Sequence, residues 1–229
     1  MSNIAIILAG GSGKRIGATV PKQFIEVAGK SVVEYTIDAF ERNKGIDEIA
    51  IVCRQDYVEM LKKNVGQKYR KVRKILPGGE ERYHSSLSAI AAYTNNDDTL
   101  FFHDAVRPLV SDDLINRCVE ASLKYDAVAV AVPATDTIMR VDADGCLAEI
   151  PSRHMLRCAQ TPQCFRRGLI TQAYEKALRD PGFNTTDDCG VVLRYMPDVK
   201  IKIIEGDVNN VKITYKEDLV RLEQFLQQE

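Results

Sequence analysis

The chain has 229 residues, of which 45% are hydrophobic and 28% charged, and these values exclude a disordered or low-complexity protein. Its 31 Lys and Arg against 32 Asp and Glu give a net charge of −1, which argues against binding to duplex nucleic acid through a basic surplus. The length suits one α/β domain, and we therefore expect residues 1–229 to form a single domain.

Neither a membrane span nor a secretory signal is expected. No apolar run approaches the roughly 20 residues that a bilayer requires, and the first residues lack the basic start of a signal peptide. The six cysteines include no C-x-x-C pair and lack metal-ligand spacing to the three histidines. We therefore expect free thiols, a cytoplasmic setting and no membrane partner.

Short β-branched segments alternate with amphipathic segments along the first 132 residues. Strands are predicted at residues 4–8, 49–53, 74–76, 99–102 and 128–132. Helices are predicted at residues 31–43, 56–65, 85–93 and 111–125. This alternation predicts an α/β fold with a mostly parallel, Rossmann-like sheet and helices on both faces. Such sheets bind ligands outside the carboxyl ends of their strands, which directs attention to loops 9–17, 77–85 and 103–108.

The alternation is interrupted by a segment that reads as a β-hairpin. Residues 138–141 and 147–150 flank Asp142-Ala143-Asp144-Gly145, whose Asp-Gly pair is typical of a hairpin turn. An isolated hairpin is marginally stable in water, so we expect the arm formed by residues 135–158 to protrude and pack on a partner subunit. Helices at 168–178, 186–195 and 216–226 and a strand at 200–205 complete the chain.

A glycine-rich loop follows the first predicted strand. It lacks the dinucleotide fingerprint, because Ile16 stands where the third glycine would be, and it lacks the P-loop motif, because Arg15 follows Lys14. The cations Lys14, Arg15 and Lys22 lie within nine residues and suit a triphosphate. A tight turn with a solvated basic face explains the glycines equally well.

Eight segments together resemble a known family. They are L-A-G-G-x-G-x-R-x-G with P-K-Q-F, then G-G-E-E-R (78–82), H-D-A-V-R-P (103–108), D-T-I (136–138), Q-T-P-Q (160–163), T-D-D (186–188) and N-V-K-I-T (210–214). In order and spacing, from about residue 4 to 226, they resemble the IspD/TarI family of CTP-dependent polyol-phosphate cytidylyltransferases. The resemblance implies a nucleotide-diphospho-sugar transferase type of fold and joining of CTP to a polyol phosphate with release of pyrophosphate.

The resemblance also implies roles for individual residues. Catalytic roles fall on Arg15, Lys22, Arg153 and Lys212. CTP contacts fall on Leu8, Ala9, Gly10, Gly11, Gly13, Lys14, Gly79, Glu80, Arg82, Ser85 and Asp104. Acceptor contacts fall on Arg107, Asp136, Thr137, Arg153, Thr186 and Lys212. In this family the arm interlocks with a second subunit, which implies a homodimer.

The reaction needs no strong general base, but it needs positive charge in the site. A phosphate monoester has a second pKa of about 6, so the attacking oxygen needs no strong base, and positive charge must offset the repulsion of two anions. A carboxylate beside a triphosphate is unfavourable unless a divalent cation intervenes, so Asp104 is assigned to Mg²⁺ or the ribose. An ion pair with Arg107 is the competing interpretation. His103, at a strand end, is interpreted as structural.

The motifs divide on the acceptor. The opening Leu8-Ala9-Gly10-Gly11, Val106 and Cys189 resemble enzymes that use ribitol 5-phosphate, whereas residues 153–156 and 186–188 look closer to those that use 2-C-methyl-D-erythritol 4-phosphate. We favour D-ribitol 5-phosphate, giving CDP-ribitol, with methylerythritol phosphate as the alternative.

Two other classes rank below the transferase. An NAD(P)-dependent oxidoreductase needs an acidic residue at the end of the second strand, where Cys53 and Arg54 lie instead. A catalytically silent nucleotide-binding module is disfavoured because Arg15, Lys22 and the other implied catalytic cations are all present.

Overall fold

A computed structural model describes residues 1–11 and 20–227. The strands are β1 (Asn3–Ala9), β2 (Glu26–Val27), β3 (Lys30–Ser31), β4 (Glu48–Cys53), β5 (Val72–Pro77), β6 (Thr99–Asp104), β7 (Ala127–Pro133), β8 (Arg140–Val141), β9 (Leu147–Glu149), β10 (Arg157–Arg166) and β11 (Lys202–Glu205). The helices are α1 (Val32–Arg42), α2 (Gln55–Val65), α3 (Arg82–Ala91), α4 (Asp112–Ser122), α5 (Arg167–Ala177), α6 (Asp188–Tyr195) and α7 (Lys216–Leu226). Short 3₁₀ turns occur at Lys22–Phe24 and Arg153–Met155.

Seven strands form the central sheet, in the order β11-β7-β10-β6-β1-β4-β5. All neighbouring pairs run parallel except those of β10, which is antiparallel to both β6 and β7. The predicted mostly parallel α/β sheet is therefore confirmed, with one antiparallel strand that the sequence analysis did not anticipate.

Strand β10 escapes sequence analysis because its pattern is polar. It contains Pro162, and proline is normally excluded from central strands. A bulge between Gln160 and Gln163 accommodates this irregularity. The buried amides find partners, as when Gln160 Nε2 donates to the Asp207 carbonyl at 2.9 Å. Satisfied polar side chains thus replace the apolar alternation on which a strand prediction depends.

Alternate residues of β1 face opposite sides of the sheet, as the two-residue period of a strand requires. Ile4, Ile6 and Leu8 pack in a cluster with α3, α5 and α6, whereas Ala5 and Ile7 pack in a second cluster with α1, α2 and α4. The expected helical cover on both faces is confirmed. The helix α7 contributes to a third, smaller cluster.

Helix ends follow the capping residues. Ser111 Oγ accepts a hydrogen bond from the Leu114 amide at 3.2 Å and caps α4, which ends at Ser122, earlier than predicted. The start predicted for α6 at residue 186 is wrong, because Asp187 caps that helix by accepting from Gly190 N at 2.8 Å. No helix within residues 1–11 and 20–227 is long and apolar enough to cross a membrane.

The predicted hairpin arm is present. Strands β8 and β9 pair antiparallel, and Gly145 occupies the turn with φ of +80°, a conformation that glycine adopts without strain. Every residue from 135 to 150 is exposed, including the large apolar side chains of Met139, Val141 and Leu147. The three core clusters include no described residue of the arm. The hairpin therefore stands outside the body of the sheet.

Candidate active site

A cleft of about 830 Å³ opens at the carboxyl ends of β1, β4, β5 and β6, where parallel sheets bind ligands. The structure brings ten of the sequence-predicted site residues together in its lining: Leu8, Gly10, Gly11, Lys22, Gly79, Glu80, Arg82, Ser85, Asp104 and Lys212. They come from five separate segments of the chain, three of which (residues 8–11, 79–85 and 104) lie at or just after the carboxyl ends of β1, β5 and β6 in the same sheet.

Other predicted site residues lie away from this cleft or outside the described ranges. Ala9 is buried at the end of β1, and Asp136, Thr137 and Arg153 are exposed on the arm. Thr186 is exposed just before α6. Gly13, Lys14 and Arg15, for which roles are also predicted, lie outside the described ranges. The roles assigned to these residues remain predictions.

Gln23 supports the glycine-rich turn from beneath. Its side chain is 1% exposed, and Nε2 donates to the Ala9 carbonyl at 2.7 Å and the Gly11 carbonyl at 2.9 Å. Its Oε1 is buried and accepts no hydrogen bond from the described part of the chain. One amide thus holds the main chain at Ala9 and Gly11, where Gly10 and Gly11 line the cleft.

Ser85 reaches the cleft between two glycine backbones. A Cβ on Gly78 would lie 2.5 Å from Ser85 Oγ, and a Cβ on Gly10 would lie 3.2 Å from the same atom. Glycine at position 78 is therefore required for the close approach of strand end and helix start. This arrangement fixes a hydroxyl beside two backbone segments that line the cleft, which suits the hydrogen-bonding edge of a small base.

Two lysines of the predicted site belong to the cleft lining. Lys22 is 8% exposed on its 3₁₀ turn, and Nζ donates to the Ile213 carbonyl at 2.6 Å. The preceding residue, Lys212, places its Nζ 2.9 Å from Asp104 Oδ2. The segment around residue 213 therefore gathers both cations near the end of β6.

Asp104 is ionised at every physiological pH. Burial alone would raise its pKa, but the positive charges of Lys212, Arg82 and Arg107 lower the pKa to about 2. Its Oδ2 contacts Lys212 and lies 3.6 Å from Arg107 Nε, whereas Oδ1 has no partner among residues 1–11 and 20–227. One carboxylate oxygen thus stays open to a ligand.

Arg107 lies under Asp104 rather than in the cleft lining. It is 8% exposed, and Nη1 donates to the Asn210 carbonyl at 2.6 Å and Nη2 to the Ala159 carbonyl at 3.4 Å. Arg107 therefore forms with Asp104 the ion pair that the competing interpretation expects. Its contact with an acceptor remains a prediction.

His103 and Thr161 fix the main chain at Asp104. His103 Nε2 lies 3.1 Å from the Arg107 carbonyl, which can only accept, so Nε2 carries the proton. Nδ1 therefore accepts from Thr161 Oγ1 at 3.0 Å, and Thr161 Oγ1 accepts from Asp104 N at 3.1 Å. Complete burial lowers the pKa of His103 to about 4, in agreement with a structural role.

The free energy of unfolding should depend on pH through His103. Between the ordinary imidazole pKa of 6.5 and about 4, the unfolded chain binds a proton that the folded chain does not. Stability contributed by this group is therefore complete above pH 6.5 and falls as pH falls, by at most about 1.4 kcal/mol per pH unit. Urea unfolding at pH 7, 5.5 and 4.5 should show a shallower loss for His103→Gln. His154→Gln, at an exposed histidine, is the matched control, and equal pH slopes for the wild type and His103→Gln would contradict the expectation.

Sequence reasoning missed several residues of the cleft lining: Gln23, Arg54, Gln55, Asp56, Gly78, Glu81 and Val106. Four of these residues lie inside the motifs quoted above, although none of them was given a role of its own: Gln23, Gly78, Glu81 and Val106. Residues 54–56 follow the carboxyl end of β4, and the rule for ligand sites on parallel sheets could have found them.

The family profile of 2-C-methyl-D-erythritol 4-phosphate cytidylyltransferase, IspD, matches residues 3–228. The chain belongs to the IspD family. A Thermobifida fusca relative named 2-C-methyl-D-erythritol 4-phosphate cytidylyltransferase is 42% identical, over 97% of this chain and 92% of its own length. A Haemophilus influenzae relative, the bifunctional ribulose 5-phosphate reductase/CDP-ribitol pyrophosphorylase Bcs1, is 40% identical over 98% of this chain and 48% of its own length.

Solved structures of the IspD family agree with the fold. The crystal structure of the 4-diphosphocytidyl-2C-methyl-D-erythritol synthase of Anaerococcus prevotii matches with a TM-score of 0.86 at 35% identity, covering 99% of this chain and 96% of that one. Membership confirms that the chain is a CTP-dependent nucleotidyltransferase. The oxidoreductase interpretation is thereby set aside.

Proposed function

We propose that this IspD-family enzyme joins CTP to 2-C-methyl-D-erythritol 4-phosphate and releases pyrophosphate. Relatives at 42% and 39% identity, which align over nearly their whole lengths, carry the name of that activity. The preference for ribitol 5-phosphate has weaker support, because the Haemophilus influenzae relative that carries a CDP-ribitol name is covered over 48% of its length. Methylerythritol phosphate, the alternative in the sequence analysis, therefore becomes the main proposal.

The observation that carries the proposal is the gathering of cations around the glycine-rich turn. Lys22, Arg82 and Lys212 line the same cleft as Gly10 and Gly11. In the proposed reaction a phosphate oxygen of the acceptor forms a bond to the α-phosphorus of CTP, and the bond from that phosphorus to the pyrophosphate oxygen breaks. Preorganised positive charge favours this step because charge spreads over the transferred and leaving groups.

A divalent cation fits the carboxylate of Asp104. Mg²⁺ in proteins usually takes one or two carboxylates and completes its shell with water and phosphate oxygens. No group of three or more potential metal-ligating side chains occurs in the part of the chain that the structure describes, so a site completed by substrate is the arrangement these residues suit. When bound, Mg²⁺ would supply neutralisation of phosphate charge, and Asp104, through Oδ1, is the residue that would hold it.

A pyrophosphate-release assay tests the proposed function directly. CTP, UTP, ATP and GTP are each paired with methylerythritol 4-phosphate or ribitol 5-phosphate, with and without Mg²⁺. Release specific to CTP and methylerythritol phosphate supports the proposal. Release with ribitol phosphate alone would reinstate the sequence-based preference, and no release from CTP with either acceptor would refute transferase activity on these substrates.

We also propose that the arm formed by residues 135–158 holds two subunits together and carries Arg153 to the acceptor site. Arg153 Nη1 donates to the Thr135 carbonyl at 3.0 Å, which fixes the base of the arm. Exposed Ile138, Met139 and Leu147 give the arm an apolar surface that association would cover.

Deletion of residues 138–150 is expected to convert a dimer to a monomer in sedimentation velocity, because it removes most of this apolar surface. The sheet should remain folded, since no core cluster includes an arm residue. Met139→Glu is a milder variant that should weaken association without removing the hairpin. A dimer that persists after the deletion would refute the role of the arm.

A further inference from the structure

The carboxylate of Asp188 is buried and takes no part in the chemistry proposed above. It lies at the first residue of α6 and is 0% exposed. Oδ2 accepts from Arg82 Nη1 at 2.6 Å, and Oδ1 accepts from the Tyr174 hydroxyl at 2.6 Å. A buried charge is strongly unfavourable unless it is paired and hydrogen-bonded, and both oxygens of Asp188 are so occupied.

The main chain at Asp188 is anchored on the central sheet. The amides of Asp188 and Cys189 both donate to Gln163 Oε1 at 3.2 Å, and Gln163 Nε2 donates to Asp187 Oδ2 at 2.9 Å. Gln163 belongs to β10, which lies between β6 and β7. The backbone that carries the Asp188 carboxylate is therefore anchored on the central sheet.

Arg82 connects this buried carboxylate with the cleft. It is the first residue of α3, lines the cleft, and has a side chain that is 26% exposed. Within the described ranges only its Nη1 has an acceptor, so Nε and Nη2 remain for a ligand. Because the guanidinium group is planar, holding Nη1 also sets the direction of these two donors.

The protonation states suit this arrangement. Burial opposes the charged form of Arg82, but the carboxylates of Asp188 and Asp104 raise its pKa, so the guanidinium stays positive. Burial and the neighbouring Asp188 raise the pKa of Tyr174, so its hydroxyl remains a donor. Arg82 and Tyr174 are therefore both donors, and both of their hydrogen bonds end on the carboxylate of Asp188.

We infer that Asp188, supported by Tyr174, is a positioning residue that aims the guanidinium of Arg82 at a phosphate group of CTP. This inference rests on the proposed function. It gives the T-D-D segment a role on the nucleotide side of the site, in addition to the acceptor contact predicted for Thr186. Asp188 touches no substrate itself and acts through Arg82.

The direction in which CTP affinity changes in Asp188→Asn distinguishes a positioning role from a purely electrostatic one. Removing a negative charge near an anion site should tighten CTP binding if Asp188 acts only as a charge. If Asp188 positions Arg82, Asp188→Asn should weaken CTP binding, by about tenfold in the dissociation constant measured calorimetrically without acceptor. Arg82→Ala should weaken binding to a similar extent, and Asp188→Asn added to Arg82→Ala should cause little further loss.

Asp180 offers a matched control at the other end of α6. Its Oδ2 also accepts from an arginine and a tyrosine, Arg194 Nη2 at 2.7 Å and Tyr195 Oη at 2.6 Å, and it does not line the cleft. Asp180→Asn should leave CTP affinity within about twofold of wild type.

If Asp188→Asn does not fold, Tyr174→Phe keeps the inference testable. This variant removes the hydrogen bond to one oxygen of Asp188, and it should raise the dissociation constant of CTP about threefold.

Several results would overturn the inference. One is tighter or unchanged CTP binding in Asp188→Asn despite a lowered melting temperature. Another is a double variant, Arg82→Ala with Asp188→Asn, in which the two losses of CTP affinity multiply. A third is unchanged CTP affinity in Tyr174→Phe. A wild-type protein that binds CTP but releases no pyrophosphate with either acceptor would refute the proposed function while leaving the positioning role intact. A wild type that binds no CTP would refute both.

Discussion

Lys22→Ala is expected to lower kcat for pyrophosphate release about 10³-fold while raising the dissociation constant of CTP less than about tenfold. The ammonium group of Lys22 is almost buried, and its bond to the Ile213 carbonyl fixes it at the floor of the cleft. A cation fixed in this way is best matched to charge that develops during transfer. Steady-state kinetics with calorimetric CTP binding would separate the two effects.

Lys71→Ala provides the comparison for this variant. Lys71 Nζ also donates to a backbone carbonyl, that of Asn43, but Lys71 does not line the cleft. Its replacement should change stability slightly and leave kcat and CTP affinity unaltered. Equal losses of turnover and CTP affinity in Lys22→Ala would reduce that lysine to a binding residue.

A second large loss is expected from Asp104→Asn, with kcat/KM falling about 10²-fold and the Mg²⁺ concentration for half-maximal activity rising. In the wild type, Asp104 Oδ1 is open to a cation and Oδ2 forms an ion pair with Lys212. Replacing the carboxylate by an amide should therefore have two effects: weaker Mg²⁺ binding and loss of the ion pair. Titrating Mg²⁺ at saturating CTP measures the first effect. Lys212→Met isolates the second, since it should raise KM for the acceptor without changing the Mg²⁺ requirement.

Asp98→Asn controls for loss of a buried carboxylate next to the same strand. Asp98 is 8% exposed, immediately precedes β6 and accepts from Ser2 N at 2.7 Å, at the end of the strand opposite Asp104. The Asp98→Asn variant should have a lower free energy of unfolding but an unaltered Mg²⁺ requirement. If Asp104→Asn showed an unchanged Mg²⁺ requirement, the carboxylate would be assigned to its ion pairs and not to a metal.

The sequence predicted those parts of the fold that follow from periodic burial. The apolar runs of β1 and β4 and the stripe of α1 gave these elements within one residue of their ends. Strand β10 could not be predicted in this way, because its buried amides are satisfied by partners distant in sequence, such as the Asp207 carbonyl. Those partnerships exist only once the sheet has formed.

The candidate site was predictable where a motif and a strand end coincide, as at Gly10, Gly79 and Asp104. It was not predictable where a side chain acts from below. Gln23 and Arg107 occur in recognisable motifs, but their contacts with backbone carbonyls depend on how loops cross in three dimensions. A motif identifies which residues matter, whereas only the fold shows which of them support others.

In the proposed function, the position of the arm separates the residues that recognise the acceptor from the core that supports the nucleotide cleft. Because its residues add nothing to the described core clusters, substitutions between 135 and 150 leave the packing around the nucleotide cleft untouched. If the proposed acceptor contacts of Thr137 and Arg153 hold, preference for one polyol over another can drift through changes in an appendage.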